Sequence, residues 1–271
     1  MTFPLKGGVA VVTGAAGGIG AALAMVLAAR GCNLALADVN AAGLRDTTAQ
    51  ARGHGVIVSE HQLDVADDDA VAALPDAVLA GHGRANVLVN NAGVALGGSF
   101  EQVSAVDFDW LFSINFGGVV RMTRAFLPVL RREPVAQLVN ISSVFGLVAP
   151  PGQTAYAASK FAVRGFSESL RHELEASPVG VTLVHPGGVR TAIASNARRT
   201  TALSNAETQA QMALWARFLR LDPMVAAERI VRGIELREKR VLVGRDAQRM
   251  ALVQRLFPIE YWRVLYRGAR T

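Results

Sequence analysis

Along the first two thirds of the chain, short apolar runs of strand length alternate with longer stretches of helical period. Val9–Thr13 precedes Ile19–Arg30, Leu34–Asp38 precedes Ala42–Arg52, Val56–Gln62 precedes Asp67–Leu79, and Val87–Asn90 follows. Runs such as VAVVT and LALAD have no polar alternation, so both faces of those strands are expected to be buried, as in parallel sheets built from strand–helix–strand units. Right-handed crossovers then put helices on both faces. The pattern continues with a helix over Gly117–Arg131, a strand over Gln137–Ile141, a helix over Thr154–Ala176, a strand over Val181–Val184 and a short strand over Val241–Val243. It predicts an α/β fold: one doubly wound parallel sheet, helices on both faces, and a C-terminal helical extension of the same domain.

Ala192–Leu221 breaks the rhythm. It is polar, rich in Thr, Asn and Gln, and lacks a strand pattern, as active-site lids often do. The expected parts are a core over 1–191, a lid over 192–222 with one or two helices in Leu203–Leu221, and the extension over 223–271.

The length of 271 residues suffices for a sizeable core in a single domain. No stretch resembles a secretion signal or reaches the roughly 20 apolar residues of a membrane span, so a soluble cytoplasmic protein is expected. One cysteine, Cys32, excludes an intrachain disulfide and a cysteine-rich metal site, and its place before an apolar run suggests a small buried side chain. The net charge of +6 is unevenly spread: residues 1–191 carry 13 Lys and Arg against 15 Asp and Glu, a net of −2, whereas 192–271 carry 15 against 7, a net of +8. The excess is arginine spaced along helix-like segments without a platform of clustered aromatic and basic residues, which argues against nucleic acid as a partner.

Chemistry enters at the first strand-to-helix turn, Thr13-Gly14-Ala15-Ala16-Gly17-Gly18-Ile19-Gly20. Small residues there let the backbone approach a diphosphate, and the helix N-terminus offers N–H groups and the positive end of a dipole. Gly14, Gly18, Ile19 and Gly20 are thus candidate cofactor contacts in a Rossmann-like arrangement, with a plain tight turn as the alternative. Asp38 ends the second strand, placed either to bind adenosine ribose hydroxyls, which favours NAD over NADP, or to cap the turn that follows. Asp64 and Val65 end the third strand, where they can meet the adenine. Asn91, Ala92 and Gly93 end the fourth, with turn formation an equal reading for Asn91.

Ser142-Ser143 ends the next strand, and thirteen residues after Ser143 comes Tyr156-Ala157-Ala158-Ser159-Lys160. Tyr and Lys four apart share a helix face, so an ammonium near the phenol is expected to lower its pKa toward the range of a general acid/base. In this order, after a glycine-rich turn, these motifs resemble those of the short-chain dehydrogenase/reductase family, its shorter one-domain branch, over about Lys6 to Thr191. The resemblance implies that Tyr156 is the acid/base, that Ser143 polarises the substrate oxygen, and that Lys160 lowers the tyrosine pKa and holds the nicotinamide ribose. It also implies that Asn115 holds a water of the proton relay, and that Pro186, Gly187, Val189 and Thr191 anchor the nicotinamide carboxamide; for Thr191 an ordinary cap is the alternative. NAD is the implied cofactor, an alcohol or carbonyl compound the substrate, a homodimer or homotetramer the assembly. No metal is implied: His54, His61, His82, His172 and His185 show no ligand spacing and suit surface or packing positions.

Past Thr191 the resemblance thins. Met212, Leu214, Trp215, Phe218 and Leu219 suit either an apolar substrate pocket or plain packing of the lid. Arg245–Arg270 interleaves arginine with Trp, Tyr and aliphatic residues and is broken by Pro258 into two helices. Such helices cover the body or a subunit boundary, or lie peripherally in a membrane interface.

Overall fold

Strand β1, Val9–Thr13, is buried along its whole length, so apolar layers must cover both of its faces. In the computed structural model, which describes residues 2–199, Gln209, Trp215 and residues 218–267, β1 lies at the centre of a parallel sheet. Its neighbours are β2 (Asn33–Asp38) and, on the other side, β4 (Val87–Asn90). Beyond β2 lies β3 (Val58–Gln62); beyond β4 follow β6 (Ala136–Ile141), β7 (Val179–Pro186) and β9 (Arg240–Val243), giving the seven-stranded order β3-β2-β1-β4-β6-β7-β9. The alternation of side chains sorts the core into two layers. Ala10 and Val12 face α1 (Gly18–Ala29) and α7 (Pro223–Glu235), whereas Val9 and Val11 face α3 (Asp68–His82), α5 (Gly118–Leu130) and α6 (Thr154–Glu173). Helix α2 (Ala41–Arg52) sits with the first group through Leu44 and Ala51.

Several helix starts carry a side-chain cap. Asn40, Asp67 and Asp222 cap α2, α3 and α7 with side-chain oxygens. At α1 and α6 no side chain caps the first turn.

The structure differs from the sequence pattern in two places. Helix α4 (Ala105–Phe112), capped by Ser104, runs through a π-helical turn at Ser113–Gly117 into α5, so the helix expected from Gly117 begins twelve residues earlier. A two-stranded parallel pair, β5 (Leu96–Gly97) with β8 (Arg198–Arg199), stitches the segment expected to lack a strand onto the loop after β4. The short strand expected over Val241–Val243 is β9, which completes the sheet beside β7, and α7 packs in the core. The Pro258 break is as expected, between α8 (Arg245–Leu256) and α9 (Tyr261–Arg267). Most of the helices expected over Leu203–Leu221, with Met212 and Leu214, and also Arg270, lie outside the described residues. No helix among the described residues is long and apolar enough to cross a membrane.

Candidate active site

The chain adds strands outward from β1 in one direction, then returns to place β4 on the other side. Loops at the carboxyl ends of these two strands therefore part and leave a crevice. Helix α1 starts there. Gly17 precedes it in extended conformation, offers no side chain to the first-turn N–H groups, and no acidic residue follows. Gly14 and Gly18 have φ of +66° and +56°, where a Cβ is strained. Gly20 meets a different need: a Cβ there would lie 1.9 Å from the Gly14 carbonyl oxygen. At Gly17 a Cβ would meet nothing within 4 Å. This open turn, ending in uncapped helix donors, fits a diphosphate. A Cβ on Gly18 would touch the Thr191 side chain at 3.0 Å, so the segment after β7 faces the glycine turn.

Asp38 does more than end β2. One carboxylate oxygen accepts from Ala16 N–H at 2.9 Å and the other from Asn40 N–H at 2.9 Å, so it caps its own turn and holds the glycine turn against β2. Asn91 is neither a turn former nor a free amide: its Nδ2 donates to the Thr13 and Gly14 carbonyls at 3.0 and 3.1 Å, while Asn91 and Ala92 N–H groups donate to Thr13 Oγ1. The Asp64 carboxylate accepts from Ala66 N–H, and Val65 is buried against Gly118.

Helix α6 enters the crevice with Tyr156 and Lys160, both buried. The Ser143 hydroxyl, which accepts from Phe145 N–H at 3.1 Å, lines the same cavity as the Tyr156 phenol, and Lys160 Nζ lies 5.7 Å from the Tyr156 ring centroid while donating to the Ile141 carbonyl at 3.2 Å. Burial pushes the Tyr156 phenol up to about 12, with the Ser143 hydroxyl opposing it, and pushes Lys160 down to about 8. The phenol is thus raised where the helix spacing led to the expectation of a lowering by lysine, because desolvation favours the neutral form of tyrosine, as it also favours that of lysine. Ser142, by contrast, points its hydroxyl at the Lys160 carbonyl and belongs to the scaffold. Asn115 sits in the π turn with its amide fully engaged: Oδ1 accepts from Val94 N–H, and Nδ2 donates to the Val94 carbonyl and Ser159 Oγ. A Cβ on Gly93 would sit 3.2 Å from Asn115 Oδ1 and 3.4 Å from Lys160 Nζ, so β4's end, the π turn and α6 converge.

Asn91, Gly93, Ser143, Tyr156 and Lys160 border a cavity of about 130 Å³ that also reaches Ile19, Pro186, Gly187, Val189 and Thr191, with Asn115 behind its wall. Its opposite wall is aromatic: Phe145 meets Tyr156 edge-on at 6.3 Å, stacks on Phe218 at 5.9 Å and touches Trp215 at 5.9 Å. Thr191 lines the cavity and also accepts from Ile193 N–H at 3.4 Å.

Three contributors escape a reading of the sequence. Phe145 lies two residues past Ser143, and nothing local marks it. His185, expected at the surface or in packing, is buried, with its Nδ1 2.8 Å from the Ser143 carbonyl, and desolvation pushes it down to about 3; the neutral ring donates Nδ1–H and steadies the Ser143 main chain. Asp246, in the first turn of α8, accepts from Gly188 N–H at 2.6 Å and lies where a Gly187 Cβ would be.

A family profile described as short chain dehydrogenase matches residues 8–202. The chain is 42% identical over 266 residues to the oxidoreductase SadH of Mycobacterium tuberculosis (strain ATCC 25618 / H37Rv), spanning 97% of this chain and 95% of that protein. It is 34% identical over 203 residues to the 3-oxoacyl-(acyl-carrier-protein) reductase FabG of Thermotoga maritima, spanning 74% and 82%. A short-chain dehydrogenase/reductase from Burkholderia phymatum, solved in complex with NAD, matches with a TM-score of 0.87 at 34% identity, over 93% of this chain and 94% of that one.

Proposed function

The chain belongs to the short-chain dehydrogenase/reductase family, and from that premise we propose that it interconverts a secondary alcohol and a carbonyl compound with NAD(H), using Ser143, Tyr156 and Lys160. One observation carries the reading: the Tyr156 phenol, the Ser143 hydroxyl and a lysine ammonium 5.7 Å from the phenol ring share the wall of one cavity that continues to Ile19 of the glycine turn. The cofactor would lie along Gly14, Gly18, Ile19 and Gly20, with Asp38 toward its adenosine ribose. Asp64, Val65 and Asn91 to Gly93 would flank it, and Pro186, Gly187, Val189 and Thr191 would stand beside the nicotinamide. The carboxylate of Asp38 favours NAD by repelling a 2′-phosphate, and NAD bound to the Burkholderia phymatum relative supports that choice. When bound, the dinucleotide gives or takes the hydride.

The chain's own part is proton movement and orientation. Ser143 donates to the substrate oxygen and sets it before Tyr156 Oη. In reduction the neutral phenol, the form that burial favours, gives its proton to the carbonyl oxygen as negative charge develops there. In oxidation Tyr156 takes the alcohol proton as phenolate, and the Lys160 ammonium offsets that charge. Since the Asn115 amide is engaged by Val94 and Ser159, a relay water at Asn115 belongs on its main-chain carbonyl in the π turn, where register with the preceding helix is broken. The aromatic wall of Phe145, Trp215 and Phe218 favours an apolar substrate. The family resemblance supports a homodimer or homotetramer built on α5 and α6.

Tyr156→Phe tests the assignment. It keeps the ring and its packing but has no proton to move, so turnover is expected to fall by about 100-fold or more while NADH binds as before. Parallel titrations with NADH and NADPH test Asp38, with NADH the tighter. Unchanged turnover in the variant, or equal affinity for the two cofactors, would refute the corresponding part.

A further inference from the structure

The two C-terminal helices have two unlike faces. Inward, Ala247, Met250, Tyr261 and Leu265 join the apolar cluster that contains Phe145, Trp215 and Phe218, and the Tyr261 hydroxyl accepts from Ala149 N–H. Outward, Leu252 and Leu256 are 57% and 62% exposed, and the turn that follows adds Phe257 at 46% and Ile259 at 86%. Four large apolar side chains within eight residues are therefore left in water, whereas elsewhere before α8 such exposed side chains stand singly or, at Met224 and Val225, as one pair.

Helical spacing puts Arg245 and Arg249 on the stripe of Leu252 and Leu256, each three or four residues from the next. Arg255 borders it, and Arg263 lies past the turn; all four arginines are exposed. Among the described residues Arg245, Arg249 and Arg255 have no carboxylate partner, and Arg263 has Glu260 at 3.8 Å. The arrangement discriminates between occupants. A second copy meeting the same face across a two-fold axis would set arginine against arginine around the apolar residues. An acidic, apolar and extended surface has no such penalty: the side chains can enter an acyl layer while the guanidinium groups stay at headgroup level.

We propose that the outward face of α8 and the turn after it docks on an anionic lipid bilayer, lying in its interface without spanning it. The proposal is independent of the catalytic assignment, but it places lipid against the helices whose inner faces back the aromatic wall of the cavity.

The test is co-sedimentation of the full chain with vesicles of phosphatidylcholine alone or mixed with phosphatidylglycerol. Binding is expected with the mixed vesicles at low salt, with release as salt screens the arginines. Each arginine near the surface contributes about fivefold to partition, so R249Q/R255Q/R263Q should bind more than tenfold more weakly. L252S/I259S, which touches only exposed positions, should lose binding even at low salt while binding NADH normally. Absence of sedimentation with mixed vesicles at low salt would overturn the proposal, as would undiminished binding in both variants. So would a sedimentation velocity showing a wild-type oligomer that L252S/I259S dissociates, since a second copy would then cover the face.

Discussion

Lys160 is a charge placed where water is excluded, and its cost to the fold is measurable. Burial lowers its pKa from 10.5 to about 8, and at roughly 1.4 kcal/mol per pK unit the charged form costs on the order of 3 kcal/mol at neutral pH. Below about pH 8 both folded and unfolded chains carry the proton and the full penalty applies. Between about 8 and 10.5 the unfolded chain holds a proton that the folded chain has released, so stability rises with pH through that window. Tyr156, raised from 10.0 to about 12, acts oppositely: above pH 10 the folded chain keeps a proton that the unfolded chain has lost, and stability falls. Lys160→Met, similar in volume and uncharged, should therefore stabilise the chain at pH 7 by about 1–3 kcal/mol, an advantage that shrinks by pH 10, while abolishing turnover. Urea unfolding at the two pH values checks this, and a variant less stable than wild type at pH 7 would contradict it. The Tyr156–Lys160 pairing was legible in the sequence because both partners lie within one helical turn. The direction of the phenol's shift was not, because desolvation depends on everything that packs around the group.

At the scale of elements, strand-to-helix alternation could be read directly because β1, β2, β4 and β6 are buried on both faces and need no polar alternation. Helix α4 was not legible: its exposed Val106 and its clustered aromatic residues blur the helical period, and the π turn at Ser113–Gly117 shifts the phase before α5 begins. Long-range ties leave no local signal. Asp246 is 58 residues from the Gly188 N–H that it binds, yet it couples α8 to the loop beside the proposed nicotinamide position. That loop is also held by Gly187 N–H on the Val243 carbonyl and by Arg220 and Leu221 N–H on the Gly188 carbonyl. Asp246→Ala should thus loosen it without unfolding the sheet: a loss of about 1–3 kcal/mol of stability, the range for a hydrogen bond to a charged acceptor, with weaker NADH binding. Asp246→Asn keeps an acceptor oxygen and should recover part of both. Calorimetry with and without NADH reports the two effects, and full-strength NADH binding by Asp246→Ala would show that α8 does not position the loop.

For the whole molecule, the C-terminal stretch is two structures with different consequences. Helix α7 buries Ile230, Val231 and Ile234 against α1, Glu228 and Glu235 pair with Arg30 at the end of α1, and the Glu235 carbonyl accepts from Phe3 N–H. Three large aliphatic side chains at about 1.5–3 kcal/mol each, together with Val241 and Val243 of β9, amount to most of the roughly 5–15 kcal/mol that holds a domain folded. Helices α8 and α9 instead back the aromatic wall of the cavity, and among their described residues only Ala247 is completely buried. A chain ending at Gly244 should consequently fold cooperatively, with a lower Tm and, lacking Asp246, weaker NADH binding. A chain ending at Asp222 should expose the inner face of α1 and the edge of β7, and should fail to fold. Circular-dichroism melting of the two truncations separates these outcomes. A cooperative transition in the shorter chain near that of the full protein would mean that the sheet is self-sufficient at six strands, and that α7 and β9 are accessories rather than core.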